Sequence, residues 1–356
     1  MPTIPLDFTK VRELQPAHAL WKAYRPGAAP HAFRAGSLAA ALAWQKKTRA
    51  ALSGLLGVER GAKAALAPRR LERVERPDHI REKWVLTAAP GSRMPVYLVL
   101  PKGGRGPFPV VLGFHGHGYG AKDVVGLRED GSEKPAMEGY HKDFALSLAR
   151  LGIAVAVPEI SCFGERRTDF SSLTGIPGRQ APSTCFHTSM LASHLGKTSI
   201  GMRVGEAMRL VDWLGTRSEI DAARLGAMGI SGGGMHAFYS AMLDTRIRAC
   251  VVSGYFCTFR DSIFAMNHCA CNFIPGMGAF GEMHDLAALI APRPMLVESG
   301  EQDPIFPRSA VVKAVNQAKR AWKRLGAPGY PQTDYYRGGH EISGVKAFPF
   351  LERALK

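Results

Sequence analysis

The stretch Leu225-Gly226-Ala227-Met228-Gly229-Ile230-Ser231-Gly232-Gly233-Gly234-Met235 decides how this chain folds. Residues 225–230 form a short apolar run, as expected of a buried strand. Met235 to Leu243 carries long and aromatic side chains with no helix breaker, as expected of a helix. Between the two stands a serine in a G-x-S-x-G pattern, the signature of a sharp strand-to-helix turn that lifts the serine oxygen into the open. Small residues are required on either side because the strand and helix backbones approach closely there. The new helix points its positive end at the serine and offers the Gly232 amide to a developing oxyanion. A glycine-rich turn without chemistry contains the same five residues, so the rest of the chain has to decide.

On both sides of this turn, apolar runs alternate with helical periodicity. Before it, residues 84–87 and 94–100 read as a hairpin around Pro90-Gly91-Ser92, and residues 109–114 as a buried strand. A helix with Phe144, Leu148 and Leu151 on one face and Gly152 as its stop leads to the strand 153–157. A second helix aligns Val204, Ala207, Met208, Val211 and Leu214. After the turn come strands at 249–253, 294–298 and 333–336, a helix at 311–325, and a closing helix. Alternation of this kind predicts an α/β fold with a doubly wound, mostly parallel sheet. Residues 1–80 read as an N-terminal arm and helix, with apolar residues Leu38, Leu42, Leu52 and Leu56 on one face and a basic linker at 61–77. Residues 81–356 read as the main domain. Its aperiodic segments 164–200 and 255–285 are expected to form a wall or lid over Ser231.

Composition excludes several classes. With 46% hydrophobic and 21% charged residues the chain can bury a continuous core and is not a disordered chain. No run reaches the roughly 18 apolar residues of a membrane span, and the first residues lack a signal-peptide pattern, so a cytoplasmic location is expected. The net charge of +16 is spread along the chain without a nucleic-acid-binding motif, which favours a basic solvated shell. Six scattered cysteines do not form a disulfide framework. His268-Cys269-Ala270-Cys271 lacks a second matched pair, so no metal is expected there.

A serine hydroxyl needs a base, a group that orients the base, and donors for the oxyanion. Asp303, in Gly300-Glu301-Gln302-Asp303-Pro304 after a strand, is the expected acid, with Glu301 and Glu298 as competitors. Among the histidines, His340 lies in a glycine-rich loop after the last strand, whereas His284 precedes the acid, so His340 is the expected base. The second oxyanion donor is expected from His115-Gly116-His117-Gly118 after the strand 109–114, with the His117 amide first and Gly116 next. Arg166 and Arg167 are candidates for an anionic part of the substrate, or for structural ion pairs. Phe256, Phe259, Phe264 and Phe273 are expected to crowd the site, with Phe256 and Phe273 as substrate contacts.

The chain resembles the α/β-hydrolase superfamily, and within it the dienelactone-hydrolase-like and acetyl-xylan-esterase-related hydrolases. The resemblance rests on His115-Gly116-His117-Gly118, Gly164-Glu165-Arg166-Arg167, Gly229-Ile230-Ser231-Gly232-Gly233, Cys269-Ala270-Cys271-Asn272-Phe273-Ile274-Pro275-Gly276, Ala291-Pro292-Arg293-Pro294 and Gly339-His340. It covers residues from about 80 onward. It implies an α/β-hydrolase fold and a carboxylic ester hydrolase with Ser231, Asp303 and His340 as its triad, needing no cofactor. Dienelactone hydrolases proper use a cysteine nucleophile, so Ser231 argues against that reaction. The expected substrate is a small-molecule or carbohydrate ester with a short acyl group, with no nucleic-acid or membrane partner. A prolyl-oligopeptidase-type peptidase would share the triad but carries a propeller that 80 residues cannot build. A binding protein on this fold would be expected to have lost a triad member.

Overall fold

The computed structural model describes residues 11–58, 64–173 and 183–356. The strands are β1 (Arg69–Glu75), β2 (His79–Ala89), β3 (Ser92–Pro101), β4 (Phe108–Phe114), β5 (Ala154–Pro158), β6 (Ile220–Ile230), β7 (Ala249–Ser253), β8 (Met295–Gly300) and β9 (Gln332–Tyr336). They form one sheet in the order β1-β2-β3-β5-β4-β6-β7-β8-β9. β1, β2, β3 and β5 pair antiparallel, and the six strands from β5 to β9 run parallel. Both faces of the parallel part are covered, which is why every residue of β5, β7 and β8 is buried.

Ten α-helices surround the sheet among the described residues: α1 (Pro16–Ala23), α2 (Leu38–Leu55), α3 (Phe144–Arg150), α4 (Thr184–His194), α5 (Ser199–Leu214), α6 (Gly232–Leu243), α7 (Met277–Phe280), α8 (Met283–Ala287), α9 (Arg308–Arg324) and α10 (Ala347–Ala354). One core joins α2, α5, α6, α8 and α9 to the first face. The other joins α3 and α10 to the opposite face. α9 shows why such helices form: residues 310, 311, 314, 315, 318, 321 and 322 make an apolar stripe, and lysines and arginines fill the solvent side.

The chain runs from β4 out to β5 and then crosses to β6 on the other side of β4. That reversal opens a crevice at the carboxyl ends of β4 and β6, where sheets of this kind hold ligands.

Four expectations change. The linker at 61–77 contains the edge strand β1, and residues 61–63 lie outside the described residues. Its alternating charges hid it, because an edge strand that faces solvent needs little apolar character. The segment 164–200 holds α4 and the start of α5, and its residues 174–182 lie outside the described residues. In α2 the buried stripe is Ala41, Gln45, Thr48 and Leu52, while Leu38 and Leu42 face solvent. Gln45 is buried because it donates to the Ala288 and Ala291 carbonyls, both at 2.6 Å. Leu151 is likewise exposed beyond the end of α3.

The N-terminal segment packs directly on the main domain. Arg49 donates to the Met242 and Leu289 carbonyls, and Tyr24 Oη donates to Glu282 at 2.6 Å.

Candidate active site

β6 ends at Ile230, and Ser231 takes φ 58° and ψ −123° before α6 begins at Gly232. A positive φ at a serine stores strain that the surroundings must hold. They do so closely: a Cβ at Gly229 or Gly233 would strike the Phe114 carbonyl, and one at Gly234 would strike the Ser253 carbonyl. The Ser231 amide also donates to the Ser253 carbonyl at 3.0 Å, pinning the turn to β7.

Asp303 and His340 meet across the ends of β8 and β9. His340 Nδ1 lies 2.7 Å from Asp303 Oδ2. Asp303 Oδ1 accepts from the Ile305 and Phe306 amides at 2.8 and 3.2 Å, which fixes the carboxylate. The imidazole is stacked against both Phe306 and Tyr140, and it packs on Gly254 after β7, where a Cβ would sit 3.0 Å from the ring on a backbone with positive φ. His340 Nε2 is buried and has no hydrogen-bond partner among the described residues.

Ser231, Gly232, His117 and His340 line one cleft of about 330 Å³. Tyr140, Tyr255, Ile305 and Phe306 form its aromatic and apolar walls, and residues 266–269 and Asn272 form a further wall. The His117 and Gly232 residues adjoin, since a Cβ on Gly232 would sit 3.0 Å from the His117 ring. Among the described residues neither of their amides donates to a protein acceptor. The Gly116 amide, the second candidate, is taken: it donates to His141 Nε2 at 2.7 Å. His141 Nδ1 in turn lies 2.8 Å from Asp123, which also accepts from Tyr119 and Lys134. Tyr140 Oη donates to the His117 carbonyl at 2.6 Å, fixing the same loop from its other side.

The acid's competitors are engaged elsewhere. Glu301 pairs with Arg308 on the surface. Glu298 lies beneath the site, accepting from Ser253 Oγ and from the Gly344 amide. Burial, outweighing those donors, raises its carboxyl to about 7.

Three expected substrate contacts are corrected. Arg166 forms a two-pronged ion pair with Glu206, at 2.5 and 2.7 Å, and donates to the Glu159 carbonyl and Ser92. Its charge is used inside the protein. Phe256 is core, packed edge-to-face against Phe238 of α6, and Phe273 is 46% exposed; neither lines the cleft. Of the two expected wall segments, 255–285 lines the cleft, whereas none of the described residues of 164–200 does. Sequence reasoning missed His141, Tyr140 and Phe306. A Tyr-His pair in a loop carries no local pattern that reveals its partners.

The chain matches the Abhydrolase family over residues 15–330. It is 29% identical over 291 residues to "Putative hydrolase YtaP" of Bacillus subtilis (strain 168), covering 79% of this chain and 90% of that protein. A structure titled as that of a "putative acetyl xylan esterase" from Bacteroides fragilis superposes with a TM-score of 0.73 at 19% identity, covering 91% of this chain and 82% of that one. A glucuronoyl esterase from Solibacter usitatus superposes with a TM-score of 0.64 at 16% identity, covering 93% and 100%. No described helix is long and apolar enough to cross a membrane.

Proposed function

This chain belongs to the Abhydrolase family, and we propose that it is a serine ester hydrolase acting on short-acyl esters, carbohydrate esters among them. One observation carries the reading. Strained Ser231 shares its cleft with the unpartnered Nε2 of an imidazole whose Nδ1 is held by Asp303.

Bonded to a carboxylate, Nδ1 keeps its proton, so Nε2 carries the lone pair and serves as the base. Ser231 Oγ gives its proton to Nε2 as it attacks the carbonyl carbon. The resulting oxyanion accepts from the Gly232 and His117 amides, the two donors left free beside the serine. His340 then protonates the departing alkoxide. Water repeats the sequence in reverse and releases the acid.

Esters are favoured over amides because an alkoxide leaves more readily than an amine. The small-acyl preference is supported by the walls at Tyr255, Ile305 and Phe306 and by a cleft near the lower end of the usual size range for ligand pockets. The structural neighbours include a putative acetyl xylan esterase and a glucuronoyl esterase.

The test pairs a panel of acetyl, butyryl and octanoyl esters with a serine-trapping phosphonate. The acetyl ester should give the highest kcat/KM, the phosphonate should label Ser231, and Ser231→Ala should remove both hydrolysis and labelling. Faster octanoyl cleavage rejects the acyl preference. Labelling elsewhere rejects the nucleophile.

A further inference from the structure

Four of the six cysteines, far apart in sequence, converge beside the cleft. Cys162 follows β5, Cys185 lies in the first turn of α4, and Cys269 and Cys271 lie in the wall after β7. Cys185 packs in one cluster with Cys162, Cys269 and Cys271. Cys271 Sγ is 3.7 Å from His117 Nε2. The ligand atoms of His117, Cys269 and Cys271 all lie within 4.8 Å of one another. The remaining two cysteines, Cys250 and Cys257, are buried in the main core, as small apolar residues are.

We propose that His117, Cys185, Cys269 and Cys271 form a binding site for one zinc-class cation beside the active-site cleft. Sulfur and imidazole donors are the set that selects a tetrahedral borderline-soft metal. A tetrahedron with Zn–S bonds of about 2.3 Å has S···S edges of about 3.8 Å, so His117, Cys269 and Cys271 need to contract by about 1 Å at most, and Cys185, packed in the same cluster, closes in as the fourth ligand.

Charge supplies a second argument. Arg203 is fully buried, donates to Ser161 and to Cys185 Sγ at 3.6 Å, and among the described residues has no carboxylate partner. A divalent cation with three thiolates and a neutral imidazole carries one net negative charge, which this guanidinium neutralises. Arg203 and the Asn272 amide, 3.9 Å from Cys271 Sγ, are N–H donors to ligand sulfurs, as expected around a metal centre. On binding, the cation displaces the thiol protons to solvent, and no redox step is involved.

The bound cation would tie α4 and the wall after β7 to the loop that carries the His117 amide, the proposed oxyanion donor. Metal and ester would then be coupled through His117 while using different atoms of it.

The experiment uses the full chain, reduced and freed of metal by chelator, titrated with Co²⁺ under anaerobic conditions and then with Zn²⁺. Expected are one equivalent of Co²⁺ with thiolate-to-cobalt charge-transfer bands and tetrahedral visible bands, displaced stoichiometrically by Zn²⁺. Cys185→Ser, Cys269→Ser and Cys271→Ser should each weaken Zn²⁺ binding by about a hundredfold or more, roughly what the loss of one ligand in four implies. Cys257→Ser should bind normally. Ser231→Ala should bind metal fully while losing hydrolysis, which separates this proposal from the catalytic one. Circular dichroism checks that each variant folds. Absence of the charge-transfer bands in the wild-type chain overturns the site, as does an unchanged spectrum in folded Cys271→Ser. A Cys185 disulfide that persists in reductant and excludes metal also overturns it.

Discussion

His141 Nε2 accepts the Gly116 amide at 2.7 Å, so the loop after β4 is held by an imidazole that is itself fixed by Asp123. Burial lowers the His141 pKa, against the pull of Asp123, so the ring is neutral and Nε2 stays an acceptor. In His141→Phe the Gly116 amide is left buried without a partner, at about 1–3 kcal/mol. We expect a matching loss of stability in denaturant titration and a kcat that falls more than KM changes, because the neighbouring His117 amide loses its placement. Unchanged kcat in a folded His141→Phe would show that the loop holds its shape unaided.

Asp303→Asn should cut kcat by roughly 10²–10⁴, since the amide cannot hold the imidazole in the same tautomer. Glu301→Gln touches an exposed pair with Arg308 and should stay within about 0.5 kcal/mol of wild type in both stability and transition-state binding. Steady-state kinetics on one ester decide between the two, and a larger loss at Glu301 would reverse the assignment.

Glu298 sets a stability-versus-pH slope. Its carboxyl is raised from near 4.5 to about 7 in the folded chain. An acid with a raised pKa stabilises the fold fully below its unfolded value and loses that contribution as pH climbs through the folded one. Wild-type stability should therefore decline between about pH 4.5 and 7, by an amount on the order of 3 kcal/mol. Glu298→Gln, which can still accept from Gly344, should flatten the decline and be the more stable protein at pH 8. Melting curves across this range measure the effect; parallel profiles for the two proteins would contradict it.

Arg166→Met should destabilise the fold by about 3–5 kcal/mol by leaving Glu206 buried without its partner. The double change Arg166→Met with Glu206→Leu should recover much of that loss. KM for acidic and neutral esters should shift equally, because Arg166 lies outside the cleft. A selective rise for acidic esters would return Arg166 to the substrate.

The parts of the fold that were legible in sequence are those written locally. Ser231 announces itself through its flanking glycines, and Asp303 and His340 each follow a strand end, so a few residues of context suffice. The sheet was legible because its central strands are apolar on both faces. β1 was not, since its residues face solvent and carry alternating charge. Long-range partnerships stayed hidden for a different reason. Arg166 finds Glu206 forty residues on, and Cys185 finds Cys271 beyond α5, β6, α6 and β7. Side-chain type alone left the first open between a substrate contact and an ion pair, and gave the second no partner.

The cleft draws its residues from the loops after β4, β6, β7, β8 and β9, neighbouring strands of one parallel sheet. No single hairpin or helix contains a working subset. Under the proposed mechanism hydrolysis is a readout of cooperativity: as denaturant opens the sheet anywhere between β4 and β9, Ser231, His340 and the Gly232 and His117 amides part company together. Activity and tertiary structure should vanish at one midpoint, and the chain has no partly folded form in which catalysis survives.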